Sequence, residues 1–323
     1  MLLSQFKVFL VTPFLVSFFS VSFAATYPNK PITLVVPFVA GGGTDSIARD
    51  LAKNLSEGLG QSIIVDNRGG GGGAIGAQYV AKAEPDGYTL LFVTSTFVTH
   101  SATETSPTYD VDKDFAPISL LGRGPLMVVA NKESRLKTIN QLVQKAKQSP
   151  GEINFCSAGL GSINHLSGEL FEQKTNIQMT HIPYKGSGPA TLDLLAGRVQ
   201  VFFATIPTIL QYVETGRVTL LAMTSEKRSS LFPNTPTVIE SGIPGFEITT
   251  WWGVVAPAGT PNDIILKLNQ EIQKAANKNP LKARLLKEGA QIYQTTPSEM
   301  KKILSNELIQ WRSVVSATEI KVQ

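Results

Sequence analysis

The sequence predicts an α/β protein of two domains, each built on a largely parallel sheet. Three observations carry this. Nine strand-like runs alternate with stretches of helical spacing, the pattern of strands joined by helical crossovers. One run is unusually long and has glycines at its centre, as a strand passing between domains would. Without an export segment, 299 of the 323 residues remain, which suits two domains of ordinary size.

The export segment is residues 1–24. Lys7 precedes an apolar run, residues 8–21, and Ser22 and Ala24 supply the small residues that signal peptidase requires. No later run is long and apolar enough to span a bilayer. The only cysteine, Cys156, is far from the cleavage site. That argues against a lipid anchor and against an internal disulfide, and an exported, unanchored product points to the periplasm. The remaining chain has 28 basic and 25 acidic residues, scattered along expected helices. With no basic stripe among aromatics, nucleic-acid binding is not expected.

Taken in order, the strands fall at residues 32–38, 62–65, 89–94, 116–130, 153–157, 179–183, 199–204, 218–224 and 252–256. Ile47, Leu51 and Leu55 mark one helix face, behind Thr44 as N-cap. Leu142, Val143 and Ala146 mark a second. Thr260 before Pro261 starts a third, with Ile264, Ile265, Leu268 and Ile272 as its stripe. Thr296-Pro297-Ser298-Glu299 is a capping box, and Met300, Ile303, Leu304 and Leu308 follow as the buried side. The long run has Gly122 and Gly124 at its centre, and "FEITTWWGVVAPAGTP" offers a return crossing. The first domain is then residues 25–123 with 247–323, and the second is residues 124–246, joined by two hinge strands. A single large doubly wound sheet is the alternative.

Four times, small residues stand between a strand and a helix start: "VAGGGTD", "NRGGGGGAIGA", "SAGLGSINH" and "PYKGSGPA". The first N–H groups of a helix lack intrahelical partners, and the helix dipole places positive potential there. Glycine lets a ligand approach the backbone. Such ends bind carboxylate or phosphate without a cationic side chain, at the sheet edge where open α/β folds place ligands. Any one such loop also serves as a plain tight turn. Two loops in each domain, with hydroxyls at Thr44, Ser157, Ser162 and Ser187, point to a cleft for a small anion.

Other chemistries find less support. Neither glycine run carries the Lys of a nucleotide-binding P-loop. Gly71, Gly73 and Gly76 match a dinucleotide fingerprint only because five glycines match many patterns. Asp110, Asp112 and Asp114 open like a calcium loop, but Phe115 and Leu121 replace its Gly and Glu. The three histidines have no metal-type spacing. His165 either faces the cleft or serves in capping and packing. There is no G-x-S-x-G elbow, and Cys156 in "INFCSAG" reads as a core residue. Asp45, in a first helical turn, either stabilises the dipole or selects a ligand group.

The segments "YPNKPITLVVPFVAGGGTD", "VDNRGGGGGAIGA", "EPDGYTLLF", "INFCSAGLGSINHLSGELF", "IPYKGSGPA" and "WWGVVAPAGTP" occur in this order and resemble the Bug/TctC family. These are substrate-binding proteins of tripartite tricarboxylate transporters. The resemblance covers nearly the whole exported chain. It implies a type II periplasmic binding-protein fold that closes on a small organic anion and delivers it to a permease of one large and one small subunit. It also implies a monomer without cofactor, metal or catalysis, whose ligands are tricarboxylates, dicarboxylates, acidic amino acids or aromatic acids. Carried over, the first-domain contacts are Phe38, Gly41, Gly42, Thr44, Asp45, Ser95 and Thr96. The second domain offers Ser157, Gly159, Gly161, Ser162, His165, Lys185, Gly186, Ser187 and Thr205. Lys185 is equally suited to a surface salt bridge, and one of Trp251 and Trp252 is expected to wall the pocket. Ala204 and Thr205 stand where many members carry Asp or Asn, which implies a ligand without an amino group. "FVTHSATETSPTYD" departs from the family pattern and leaves contacts from residues 97–101 open. The competing readings are a secreted enzyme using Ser157, Ser162 or His165, and a solute sensor.

Overall fold

The computed structural model describes residues 27–287 and 289–318; the expected export segment lies outside the described residues. The chain opens with β1 (Ile32–Val36), α1 (Gly43–Leu59), β2 (Ile63–Asn67), α2 (Ala74–Ala81), β3 (Thr89–Thr94) and α3 (Ser95–Thr103). The long strand β4 (Phe115–Asn131) follows. Then come α4 (Ile139–Gln148), β5 (Asn154–Ser157), α5 (Ile163–Thr175), β6 (Thr180–Pro183), α6 (Ser187–Leu195), β7 (Val201–Thr205), α7 (Ile206–Glu214) and β8 (Val218–Met223). β9 (Thr249–Pro257) returns, followed by α8 (Asn262–Ala276), α9 (Leu281–Lys287), β10 (Gln291–Ile292) and α10 (Pro297–Thr318).

Strand pairing is continuous in the order β2-β1-β3-β9-β4-β7-β5-β6, with β8 and β10 also on β4. The outer strands of each half are parallel, as the strand–helix alternation predicts. Where β4 and β9 enter, pairing turns antiparallel, because these two run in opposite directions between the halves. β4 changes partners midway: residues from Phe115 to Pro125 pair with β9, and those from Leu126 to Asn131 with β7 and β8.

Each half has its own core. In the first, Leu34, Leu51, Trp252 and Leu268 pack on one sheet face, and Val35, Val93, Val98 and Leu304 on the other. In the second, Val128, Phe155, Phe171 and Phe203 fill one face, and Met127, Cys156, Ala190 and Phe202 the other. Full burial pushes the Cys156 thiol well above its ordinary range, so it sits as an inert core group. Trp311 of α10 packs against cores of both halves.

The helix stripes follow the sequence, but two starts differ. α1 begins at Gly43 behind Gly42, and Thr44 lies inside its first turn. α8 is preceded by Pro261, while the Thr260 hydroxyl donates to Pro257 O at 2.8 Å. The capping box closes as expected: Thr296 N–H donates to Glu299 Oε2 at 2.8 Å and Glu299 N–H to Thr296 Oγ1 at 3.2 Å.

Candidate functional site

The four glycine loops meet in pairs across the two halves. A Cβ built on Gly42 would lie 3.6 Å from the Gly188 nitrogen. On Gly43 it would lie 2.8 Å from the Thr208 nitrogen and 2.7 Å from its Oγ1. On Gly159 it would be 3.1 Å from Gly72 Cα. At Gly43 this leaves no room for a Cβ, at Gly159 the fit would be tight, and at Gly42 a Cβ would make ordinary contact. Two hydrogen bonds cross the same junction: Thr99 Oγ1 donates to Gly161 O at 2.7 Å, and Ile163 N–H to Thr96 Oγ1 at 3.2 Å. The halves are closed on one another.

Beneath these contacts lies a narrow cavity of about 20 Å³, space for little more than a single water molecule with the halves in contact. Phe38, Val39, Gly42, Gly43, Thr44, Asp45, Thr94 and Thr96 line it from the first half. Ala158, Ile163, Asn164, Ser187 and Thr205 line it from the second, with Thr250 and Trp252 from the return crossing. Hydroxyls and backbone therefore dominate its polar surface. Among the described residues, no Lys, Arg or His lines it. Wider grooves lie outside the loop contacts, one along Gly41, Leu192 and Tyr212 and one along His100, Leu160 and Lys185. We place the candidate site in the inner cavity because both halves enclose it and helix ends point to it.

Five helices start around this cavity, and their caps differ. α3 is capped by Thr94, whose side chain accepts from Thr96 N–H, and α5 by Ser162, which accepts from His165 N–H. α1, α6 and α7 have no side-chain cap. Their first-turn N–H groups are left without a side-chain acceptor, and the dipoles add positive potential at the cavity wall. α6 and α7 each offer one donor fewer, because Pro189 and Pro207 occupy their first turns.

Asp45 is the one acidic lining residue. Its Oδ2 accepts from Gly41 N–H at 3.1 Å and Arg49 Nε at 3.0 Å, and its Oδ1 from Asn67 Nδ2 at 2.9 Å. Burial pushes its carboxyl up, but the bonds from Arg49, Gly41 and Asn67 together hold it below the usual carboxylate range. The charge is thus engaged in fixing the first glycine loop to α1 and β2.

Of the residues singled out from sequence, Phe38, Gly42, Thr44, Asp45, Thr96, Ser187 and Thr205 come together on the cavity. Gly41 faces the outer groove, and Gly186 packs near Val39. Ser95 lies behind Thr250, their hydroxyls 2.8 Å apart. Gly159 and Gly161 form the junction with the first half. Ser157, Ser162 and His165 are buried behind that loop and bond to its backbone. Lys185 is exposed on the outer groove. Trp252 walls the cavity. Trp251 points to the other sheet face, where its Nε1 donates to both Glu307 carboxylate oxygens, at 2.9 and 2.8 Å. The sequence reading missed Thr94, Asn164 and Thr250. Asn164 stands beside His165 in the first turn of α5; it is buried, and its Nδ2 donates to Phe203 O at 2.6 Å.

Comparison with known proteins agrees with this architecture. Residues 47–320 match the family described as tripartite tricarboxylate transporter family receptor. The chain is 39% identical over 302 residues to Protein BugT of Bordetella pertussis, covering 93% of each. It superposes on the periplasmic binding protein BugD with TM-score 0.89 at 33% identity, covering 92% of this chain and 100% of that one. Rpa4515 of R. palustris, solved with adipate, gives TM-score 0.87 at 36% identity, covering 91% and 99%. These similarities bring with them the two-domain type II binding-protein architecture of the Bug proteins. The chain belongs to the TctC family, the receptors of tripartite tricarboxylate transporters, whose members include periplasmic binding proteins.

Proposed function

We propose that this protein is a periplasmic receptor for a small organic carboxylate without an ammonium group, which it hands to a permease of one large and one small membrane subunit. It works as a monomer and performs no covalent chemistry. The domains are residues 25–123 with 247–323, and residues 124–246. Hinge closure between them buries the acid among Phe38, Gly42, Thr44, Asp45, Thr96, Ser187 and Thr205. Gly41, Gly186, Gly159 and Gly161 shape the closing loops. Ser95, Ser157, Ser162 and His165 hold the loops from behind, and Lys185 stays outside.

One observation carries this reading. The cavity is lined by hydroxyls and by three uncapped helix N-termini, with no cationic side chain and with its single carboxylate already engaged. Such a wall attracts an anion through backbone N–H groups. It offers an ammonium no free negative partner, and burying an unpaired charge is costly. The adipate in the related Rpa4515 structure supports a small organic carboxylate as the ligand.

Calorimetric titration with succinate, malate and adipate, against aspartate and glutamate, tests the reading. At least one of the three acids is expected to bind, with the amino acids at least about 10-fold weaker, a difference of about 1.4 kcal/mol. Tighter binding of either amino acid contradicts it.

A further inference from the structure

Behind the second-domain glycine loop sits a cluster that touches no part of the cavity. The His165 and His181 rings stack with centroids 3.9 Å apart, and Phe155 stacks on His181 at 4.9 Å. Gly161 N–H donates to His165 Nδ1 at 3.1 Å. On the other side of the ring, His165 Nε2 lies 3.2 Å from Glu169 Oε1. The Ser157 hydroxyl lies 2.6 Å from His181 Nε2 and accepts from Gly159 N–H at 3.1 Å. Each imidazole thus holds one glycine amide of the loop, His165 directly and His181 through Ser157.

This fixes the His165 tautomer. Nδ1 accepts and so carries no proton; the proton is on Nε2, donated to Glu169. Gly161 is also where the domains meet, since its carbonyl accepts from Thr99. We propose that His165 is a positioning residue: its Nδ1 holds the second-domain loop in the shape that meets the first domain.

The surrounding groups define the electrostatics. Glu169 faces His165 from α5, with Glu172 beyond it on the same helix. β5 contributes only Phe155 and Ser157, and β6 contributes His181. Burial, then the neighbouring His165, push His181 down to about 3, so it stays neutral in mild acid. Across the junction His100 approaches Gly161, with Glu104 3.6 Å from its Nδ1; burial holds the His100 ring below its ordinary range.

The test uses the ligand-free protein, so its outcome is separable from the identity of any ligand. The Gly161 amide is followed by hydrogen exchange in NMR at neutral pH, as a protection factor corrected for intrinsic rate. His165→Ala is expected to lose at least about 10-fold in protection relative to wild type, with a thermal melt confirming that it remains folded. In His165→Asn the amide oxygen can replace Nδ1, so protection should return to near the wild-type value, whereas His165→Leu, which fills the space without an acceptor, should stay unprotected. Full protection in His165→Ala or His165→Leu overturns the proposal, and so does a loss in His165→Asn equal to that in His165→Ala. Should His165→Ala not fold, His165→Asn against His165→Leu still decides.

Discussion

Gly43→Ala is expected to weaken ligand binding by about 10- to 100-fold while leaving the ligand-free protein as stable as wild type, or slightly more so. Gly43 opens α1, and its backbone is not in the left-handed region, so an added Cβ strains nothing locally. Within α1 alone, alanine is the better helix former by roughly 0.5–1 kcal/mol. The cost arises across the domain junction, where the new Cβ would press on the Thr208 nitrogen and Pro207 Cβ, each at 2.8 Å. Backbone cannot swing aside as a flexible side chain can. Overpacking of this kind costs about 1–3 kcal/mol, and each 1.4 kcal/mol is tenfold in affinity. Under the proposed hinge closure the clash arises only in the closed form, so it acts on binding and not on folding. Calorimetry with whichever acid binds wild type, beside thermal melts without ligand, separates the two. Unchanged affinity would show that the closed junction is not part of the binding reaction.

Trp252→Ala is expected to destabilise the fold by about 3–5 kcal/mol, the range for truncating a large buried aromatic, and to abolish measurable binding. Trp252 is 2% exposed and belongs to the first-domain core beside Leu34 and Leu268, while it also walls the cavity. It lies opposite Thr94 of β3 and Gly122 of β4, where the strands carry the two domains together. Denaturant unfolding measures the loss, and a change below about 1 kcal/mol would mean that the neighbouring side chains close over the gap. Trp251 is the internal control for the role of the cavity wall. Strand alternation turns it to the opposite face, onto α10, so Trp251→Phe should lose the bond to Glu307 and spare the cavity.

How much of this was legible in sequence depends on how local the cause is. The α1 stripe, the α10 capping box and the strand–helix alternation are set by spacings of a few residues, and they read correctly. The long glycine-centred run forms one strand, β4, whose partners change between Pro125 and Leu126. The start of α1 was misplaced, because Thr44 is the usual sort of capping residue and the glycines before it are not. Here a bare glycine cap leaves the helix end open toward the cavity. The serines mislead for a related reason. Ser157, Ser162 and Ser187 look alike as small hydroxyls in glycine loops. Only the fold shows that the first two turn back onto their own loop while Ser187 faces the cavity. Which glycine loop meets which is settled by contacts between residues far apart in sequence, Gly42 with Gly188 and Gly72 with Gly159. No local pattern encodes that. The antiparallel pairing at the centre was hidden for the same reason: it follows from two strands crossing between domains in opposite senses.

The central claim is that backbone amides at facing helix ends, and not charged side chains, hold the acid. A crystal structure of the protein with its bound carboxylate tests this most directly. The account expects one carboxylate in the inner cavity, its oxygens about 2.7–3.2 Å from first-turn N–H groups of both α1 and α6. An acid lodged in an outer groove against Lys185, with the inner cavity collapsed around hydroxyls bonded only to each other, would contradict it.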